Sequence, residues 1–140
     1  MKDFFKLQIN AESKNEAFAR AVVAQFSLAL SPTLEEIGDL KTATSEAVTN
    51  AVVHAYPKEK GMIEIYGEID GNALTIAVQD FGCGIENLSR ALEPFFTTKP
   101  DEERSGMGFT IIQTFTDDMQ VESVVGQGTT VRFTKTFKKC

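Results

Sequence analysis

The 140-residue sequence predicts an α/β protein of the α+β kind, a two-layer sandwich whose mixed, mainly antiparallel sheet carries its helices on one face. Three observations carry that prediction. Segments alternating apolar and polar residues come in pairs joined by tight turns. Segments with helical periodicity cluster between those pairs. The resulting order, strand, helix, helix, hairpin, loop, helix, hairpin, lacks the regular alternation of a doubly wound parallel sheet.

Residues 3–9, DFFKLQI, suit a first strand, although so short an apolar run also fits a helix by periodicity alone. Ser13 and Glu16 then have the spacing of a capping box, and Ala17, Phe18, Ala21, Val22, Gln25, Leu28 and Ala29 trace a mostly apolar face to about residue 30. Ser31-Pro32 closes that helix. Thr33 can cap a second one, through Leu34, Ile37, Leu40, Ala43, Ala47, Ala51 and Ala55, until Pro57 stops it. GMIEIYGEI and NALTIAVQD alternate at period two about Asp70-Gly71, a hairpin turn signal. Counting outward from that turn pairs Gly67 with Leu74, Ile65 with Ile76 and Ile63 with Val78, so one face is continuously apolar. A short helix is expected near residues 86–91, then a polar stretch, TTKPDEERSG, read as a mobile loop. MGFTIIQTF is a third helix, and MQVESVV with TTVRFTKTF forms a last hairpin around Gly126-Gln127-Gly128.

The length predicts a single domain over residues 1–140. Hydrophobic residues at 42% and charged residues at 24% are ordinary for a soluble globular chain, and no apolar run approaches the roughly 20 residues of a membrane helix. The N-terminus does not read as a signal peptide. A formal charge of −6 argues against a broad nucleic-acid surface. Cys83 and Cys140 are too few for a disulfide framework or a thiolate zinc site, which fits a reducing cytoplasm. Cys83, between two glycines, reads as a small side chain in a tight turn rather than a reactive thiol.

Four motifs could carry chemistry. Glu46, Asn50 and His54 are four residues apart and drift only about 80° around the second helix, so they form one stripe at the border of its apolar face. Such borders also hold polar residues with no chemical role. Asp80, ending a strand and followed by Gly82 and Gly84, sets an acceptor beside backbone that a flat ligand can approach; a carboxylate there can accept from an exocyclic amine. Thr97, Thr98, Lys99 and Arg104 supply hydroxyls and positive charge ahead of Gly106, Met107, Gly108 and Phe109, where the third helix begins and its free N–H groups can face an anion. Gly126-x-Gly128-Thr129 is a hairpin turn by itself and follows the other three in the order a nucleotide fold needs.

Together Glu46-x-x-x-Asn50, Asp80-x-Gly82-x-Gly84, Gly106-x-Gly108 and Gly126-x-Gly128-Thr129 resemble the GHKL superfamily of ATP-binding domains, with the Bergerat-type fold. The segments SEAVTNAVVHAY and FFTTKP…ERSGMGFTII are more narrowly similar to the bacterial anti-sigma factor serine kinases of the sporulation type. The resemblance implies ATP or ADP and Mg2+ as ligands. Asp80 would hold the adenine amine with support from Thr129, Asn50 would coordinate magnesium, and Glu46 would be the general base toward a serine hydroxyl. It further implies inhibition of a sigma-F-like sigma factor, phosphorylation of an anti-anti-sigma protein, a homodimer, and partner contacts through Arg20 on the first helix. The glycine loop before the third helix is shorter than in many relatives. His54 receives no nucleotide role and reads as a boundary side chain. An ATPase with water as acceptor would use the same residues. A nucleotide-gated binding module would need Asn50 and Asp80 but no base.

Overall fold

The computed structural model describes residues 2–55, 61–86, 88, 92 and 108–138. Its strands are β1 (Lys2–Asn10), β2 (Met62–Asp70), β3 (Ala73–Asp80), β4 (Asp118–Val124) and β5 (Gly128–Thr136), and its helices α1 (Asn15–Ser27), α2 (Leu34–Asn50) and α3 (Gly108–Phe115). The sheet order is β1-β2-β3-β5-β4. Every described pairing is antiparallel, so the sheet expected to be mainly antiparallel is antiparallel throughout: β2–β3 and β4–β5 are hairpins, β1 reaches β2 only after α1 and α2, and β3 pairs with β5 rather than with β4.

Alternation along the strands fixes which face is covered. Ile63, Ile65 and Ile69 of β2, Leu74, Ile76 and Val78 of β3, and Val131 and Phe133 of β5 are buried, as are Leu40, Ala43, Ala47 and Val48 of α2. Each fully buried large aliphatic side chain contributes about 1.5–3 kcal/mol. Gly67 has its own reason. It pairs with Phe5 across β1 and β2, a side chain there would collide with the Phe5 ring, and that ring meets Phe26 of α1 edge-on at 4.8 Å.

The first hairpin turns one residue later than the sequence suggested. Asp70 pairs with Ala73, so Gly71 and Asn72 form the turn, and Gly67 faces Ile76, Ile65 faces Val78 and Ile63 faces Asp80. Gly71 takes φ +65, the left-handed conformation the turn demands. The correction slides one strand by two residues, which leaves the same side chains inward because the side-chain period is two. Asp80, on that same face at period two from Val78, now lies opposite Ile63.

Thr33 caps α2, accepting from the Glu36 N–H while the Glu36 carboxylate accepts from Thr33 N–H. The box expected at Ser13 and Glu16 does not form. Lys14 occupies the cap position without a side-chain bond, and Glu16 turns along the helix to Arg20. A 3₁₀ turn, Leu28–Leu30, ends at Ser31 with φ 49. Beyond Asn50 the helix widens into a π turn, Ala51–Ala55, that packs against β3 and β5. Most of the helix expected at 86–91, the polar stretch 97–106 and Pro57 lie outside the described residues.

Candidate nucleotide site

Two junctions bring the four motifs together. The first joins α2 to α3. Asn50 ends α2, and Gly108, buried, begins α3. A Cβ on Gly108 would stand 2.7 Å from both Oδ1 and Nδ2 of Asn50, so only glycine lets the amide lie against this helix start. Glu46, one turn earlier on α2, is 9% exposed. The amide of Asn50 and the first N–H groups of α3 therefore occupy one place, where an oxygen ligand, hydrogen-bond donors and the positive helix end converge.

The second junction joins the end of β3 to the β4–β5 hairpin. Asp80 is 7% exposed, and its Oδ1 accepts from Gly82 N–H at 3.0 Å and Thr129 N–H at 3.1 Å. Burial pushes the Asp80 carboxyl above its ordinary value, and those two backbone bonds oppose the rise. Gly128, at φ +128, lies with its α-carbon against the Asp80 carbonyl, where a side chain would collide. Gly84, at φ +78, is pressed against the Val124 carbonyl, and Gly126 N–H donates to the Cys83 carbonyl at 2.8 Å. These glycines let a loop and a hairpin close on each other, a structural use the motif spacing alone did not reveal. Cys83 is exposed on that loop.

Ser123 is a residue of this junction that sequence reasoning did not single out. Its Oγ accepts from Ile85 N–H at 2.8 Å, lies 2.8 Å from Thr129 Oγ1 and 3.2 Å from the Gly128 carbonyl, and so ties the loop after Asp80 to the hairpin. The available signal was its inward register on β4, opposite Thr129.

Of the remaining expected residues, Phe109 is half-buried against the core beside Gly108. Arg20 is partly exposed on α1, 3.4 Å from Glu16. Thr97, Thr98, Lys99, Arg104, Gly106, Met107 and Cys140 lie outside the described residues, as does the His54 side chain. Among the described residues no cluster of three or more His, Cys, Asp or Glu is arranged to hold a metal. A single amide oxygen beside the free N–H groups of a helix start fits magnesium, which commonly takes one or two protein ligands together with substrate phosphates and water. No helix of the described residues is long and apolar enough to cross a membrane.

Comparisons with known proteins bear on the family and the fold. The histidine kinase-like ATPase domain family matches residues 9–135. The chain is 53% identical over 133 residues to the anti-sigma F factor of Thermoanaerobacter sp. (strain X514), covering 95% of this chain and 93% of the relative. It is 49% identical over 137 residues to the anti-sigma F factor of Clostridium acetobutylicum, covering 98% and 96%. Among solved structures, full-length ShkA in complex with AMPPNP superposes with TM-score 0.63 at 20% identity, covering 91% of this chain and 30% of that one. The nucleotide-free catalytic domain of the histidine kinase ThkA superposes with TM-score 0.61 at 16% identity, covering 96% of each. At those identities the two structures speak for the fold.

Proposed function

The chain belongs to the histidine kinase-like ATPase domain family and, within it, to the anti-sigma F factors, and on that premise we propose that it is an ATP-dependent protein-serine kinase that also binds and inhibits a sigma factor. The observation that carries the catalytic half of this reading is the first junction: a buried carboxylate one turn before an amide that touches the start of a helix.

The base pocket follows from the second junction. Both backbone bonds to Asp80 go to Oδ1, so Oδ2 is the oxygen that meets the exocyclic amine of adenine, and Thr129 stands beside it. At the phosphate end, the helix start of α3 binds the anion through its N–H groups. Asn50 would hold magnesium, which when bound neutralises phosphate charge. Glu46 removes the proton from the serine hydroxyl as its oxygen bonds to the γ-phosphorus and the bond to the β-phosphate oxygen breaks, giving phosphoserine and ADP. Burial leaves little competing water at the Glu46 carboxylate.

The substrate serine lies on an anti-anti-sigma protein, and the kinase works as a homodimer in the cytoplasm. Arg20 offers the partner contact: it is partly exposed, and its pair with Glu16 is of the helix-surface kind that holds only about 0.3–0.5 kcal/mol, so a partner carboxylate can compete for it.

Labelled ATP with candidate protein partners tests the reading. Label is expected on a serine of the partner, and Glu46→Gln is expected to keep ATP binding while lowering transfer by about 10²–10⁴-fold. Label released only as free phosphate would make the chain an ATPase with water as acceptor. Transfer unchanged in Glu46→Gln would remove the assigned base.

A further inference from the structure

Lys135 is the one lysine on the buried face of β5, following Val131 and Phe133 at period two, and it is 9% exposed. Its Nζ donates to Asp39 Oδ2 on α2 and to the Phe115 carbonyl at the last residue of α3, each at 3.4 Å. A lysine at that end of a helix also complements the negative pole. Neighbouring backbone reinforces the anchor: Asp117 N–H donates to the Thr134 carbonyl at 2.9 Å, and Thr136 N–H donates to Asp117 Oδ2 at 2.6 Å.

Asp39 is not at an arbitrary place on α2. Asp39, Ala43, Glu46 and Asn50 recur at intervals of four, three and four residues and so stay within about 40° of one line along the helix. The two helices run antiparallel along that line. Asn50 meets the first residue of α3, and Asp39, through Lys135, meets the last. Because α3 has only eight residues, roughly 12 Å, its two ends cannot move independently.

We propose that Lys135 is a positioning residue for the phosphate end of the site: by pinning the C-terminal end of α3 to Asp39 it holds the start of α3 against Asn50. This rests on the nucleotide reading above. Thr129 lies six residues away along β5, roughly 20 Å, so the adenine end is held by other bonds. Loosening the clamp therefore weakens grip on phosphates and leaves grip on the base.

The experiment compares Mg-ATP with adenosine, each read by displacement of a fluorescent ATP analogue, on the full chain and on Lys135→Met, which keeps length but removes the donor. The expected result is a loss of ATP affinity of roughly tenfold, the low end of what a hydrogen bond to a charged group contributes, with adenosine within about twofold and Lys135→Arg restoring most of the loss. Equal changes for both ligands, or none, overturn the proposal, since a merely structural lysine would move both together. If Lys135→Met does not fold, Asp39→Asn is expected to give the same split in smaller measure, and an unsplit response there is equally fatal. Hydrogen exchange of the α3 amides without nucleotide separates the two inferences. Faster exchange in Lys135→Met supports the clamp even if the native chain binds no ATP, and unchanged exchange rejects the clamp whatever the chain binds.

Discussion

Asp80 sits under two opposing influences, burial that favours its neutral form and two backbone N–H bonds that favour its charge, and burial is the larger. With the folded value raised above the ordinary 3.8, the unfolded chain releases this proton first as pH rises. The contribution of Asp80 to stability is therefore greatest below 3.8, falls as pH climbs through the window up to the raised folded value, and stays at its lower level beyond. Asp80→Asn removes that slope and still offers an oxygen to Gly82 and Thr129. Thermal melts of the two proteins across that window should diverge as pH rises, with the variant at least as stable at pH 7. Its ATP affinity should fall about 10–100-fold, because an amide replaces a charged acceptor of the adenine amine. A variant that is both less stable and unimpaired in binding would show that Asp80 is a structural acid. The acceptor itself was legible in the sequence as an aspartate at a strand end. Ser123, which bonds to Thr129 and Ile85 beside it, was not, since a serine in an alternating strand becomes informative only once register places it opposite Thr129.

Between elements, the site depends on how closely backbones approach. Gly108→Ala puts a methyl group 2.7 Å from both polar atoms of the Asn50 amide, so α2 and α3 must separate. Overpacking of this kind costs about 1–3 kcal/mol. Gly38→Ala, on the same α2 helix with nothing within 4 Å of an added Cβ, provides the control and should be neutral or mildly stabilising. Denaturant unfolding and Mg-ATP affinity should both worsen for the first and hold for the second; a Gly108→Ala protein that binds ATP normally would contradict the junction. Periodicity made β1, α1, α2, the strands of both hairpins and α3 legible, because in each the apolar spacing repeats over the whole element. Where local chemistry decides, reading failed for identifiable reasons. Asp70-Gly71 and Gly71-Asn72 are both plausible turns, and only the left-handed Gly71 at the first turn position selects the second. Ser13 and Glu16 have capping-box spacing, yet the chain entering from β1 is held by Asn15 Nδ2 on the Asn10 carbonyl, and the helix starts after Lys14.

At the scale of the molecule, one sheet face and α1, α2 and α3 place the two junctions at the C-terminal ends of α2 and β3, joined by the π turn that follows Asn50 and packs on β3 and β5. That arrangement makes a single ligand with a base at one end and phosphates at the other the economical occupant. The order of the four motifs in the sequence suggests such an occupant, but their physical pairing, Asn50 with Gly108 and Asp80 with Gly128-Thr129, required the fold. Isothermal titration of the purified chain with ATP, with and without magnesium, addresses the central claim most directly. Saturable one-site binding is expected, strengthened by magnesium, with the magnesium effect lost in Asn50→Ala and affinity lost in Asp80→Asn. Absence of heat or displacement with ATP and with ADP, from a folded protein in the presence of magnesium, would contradict it.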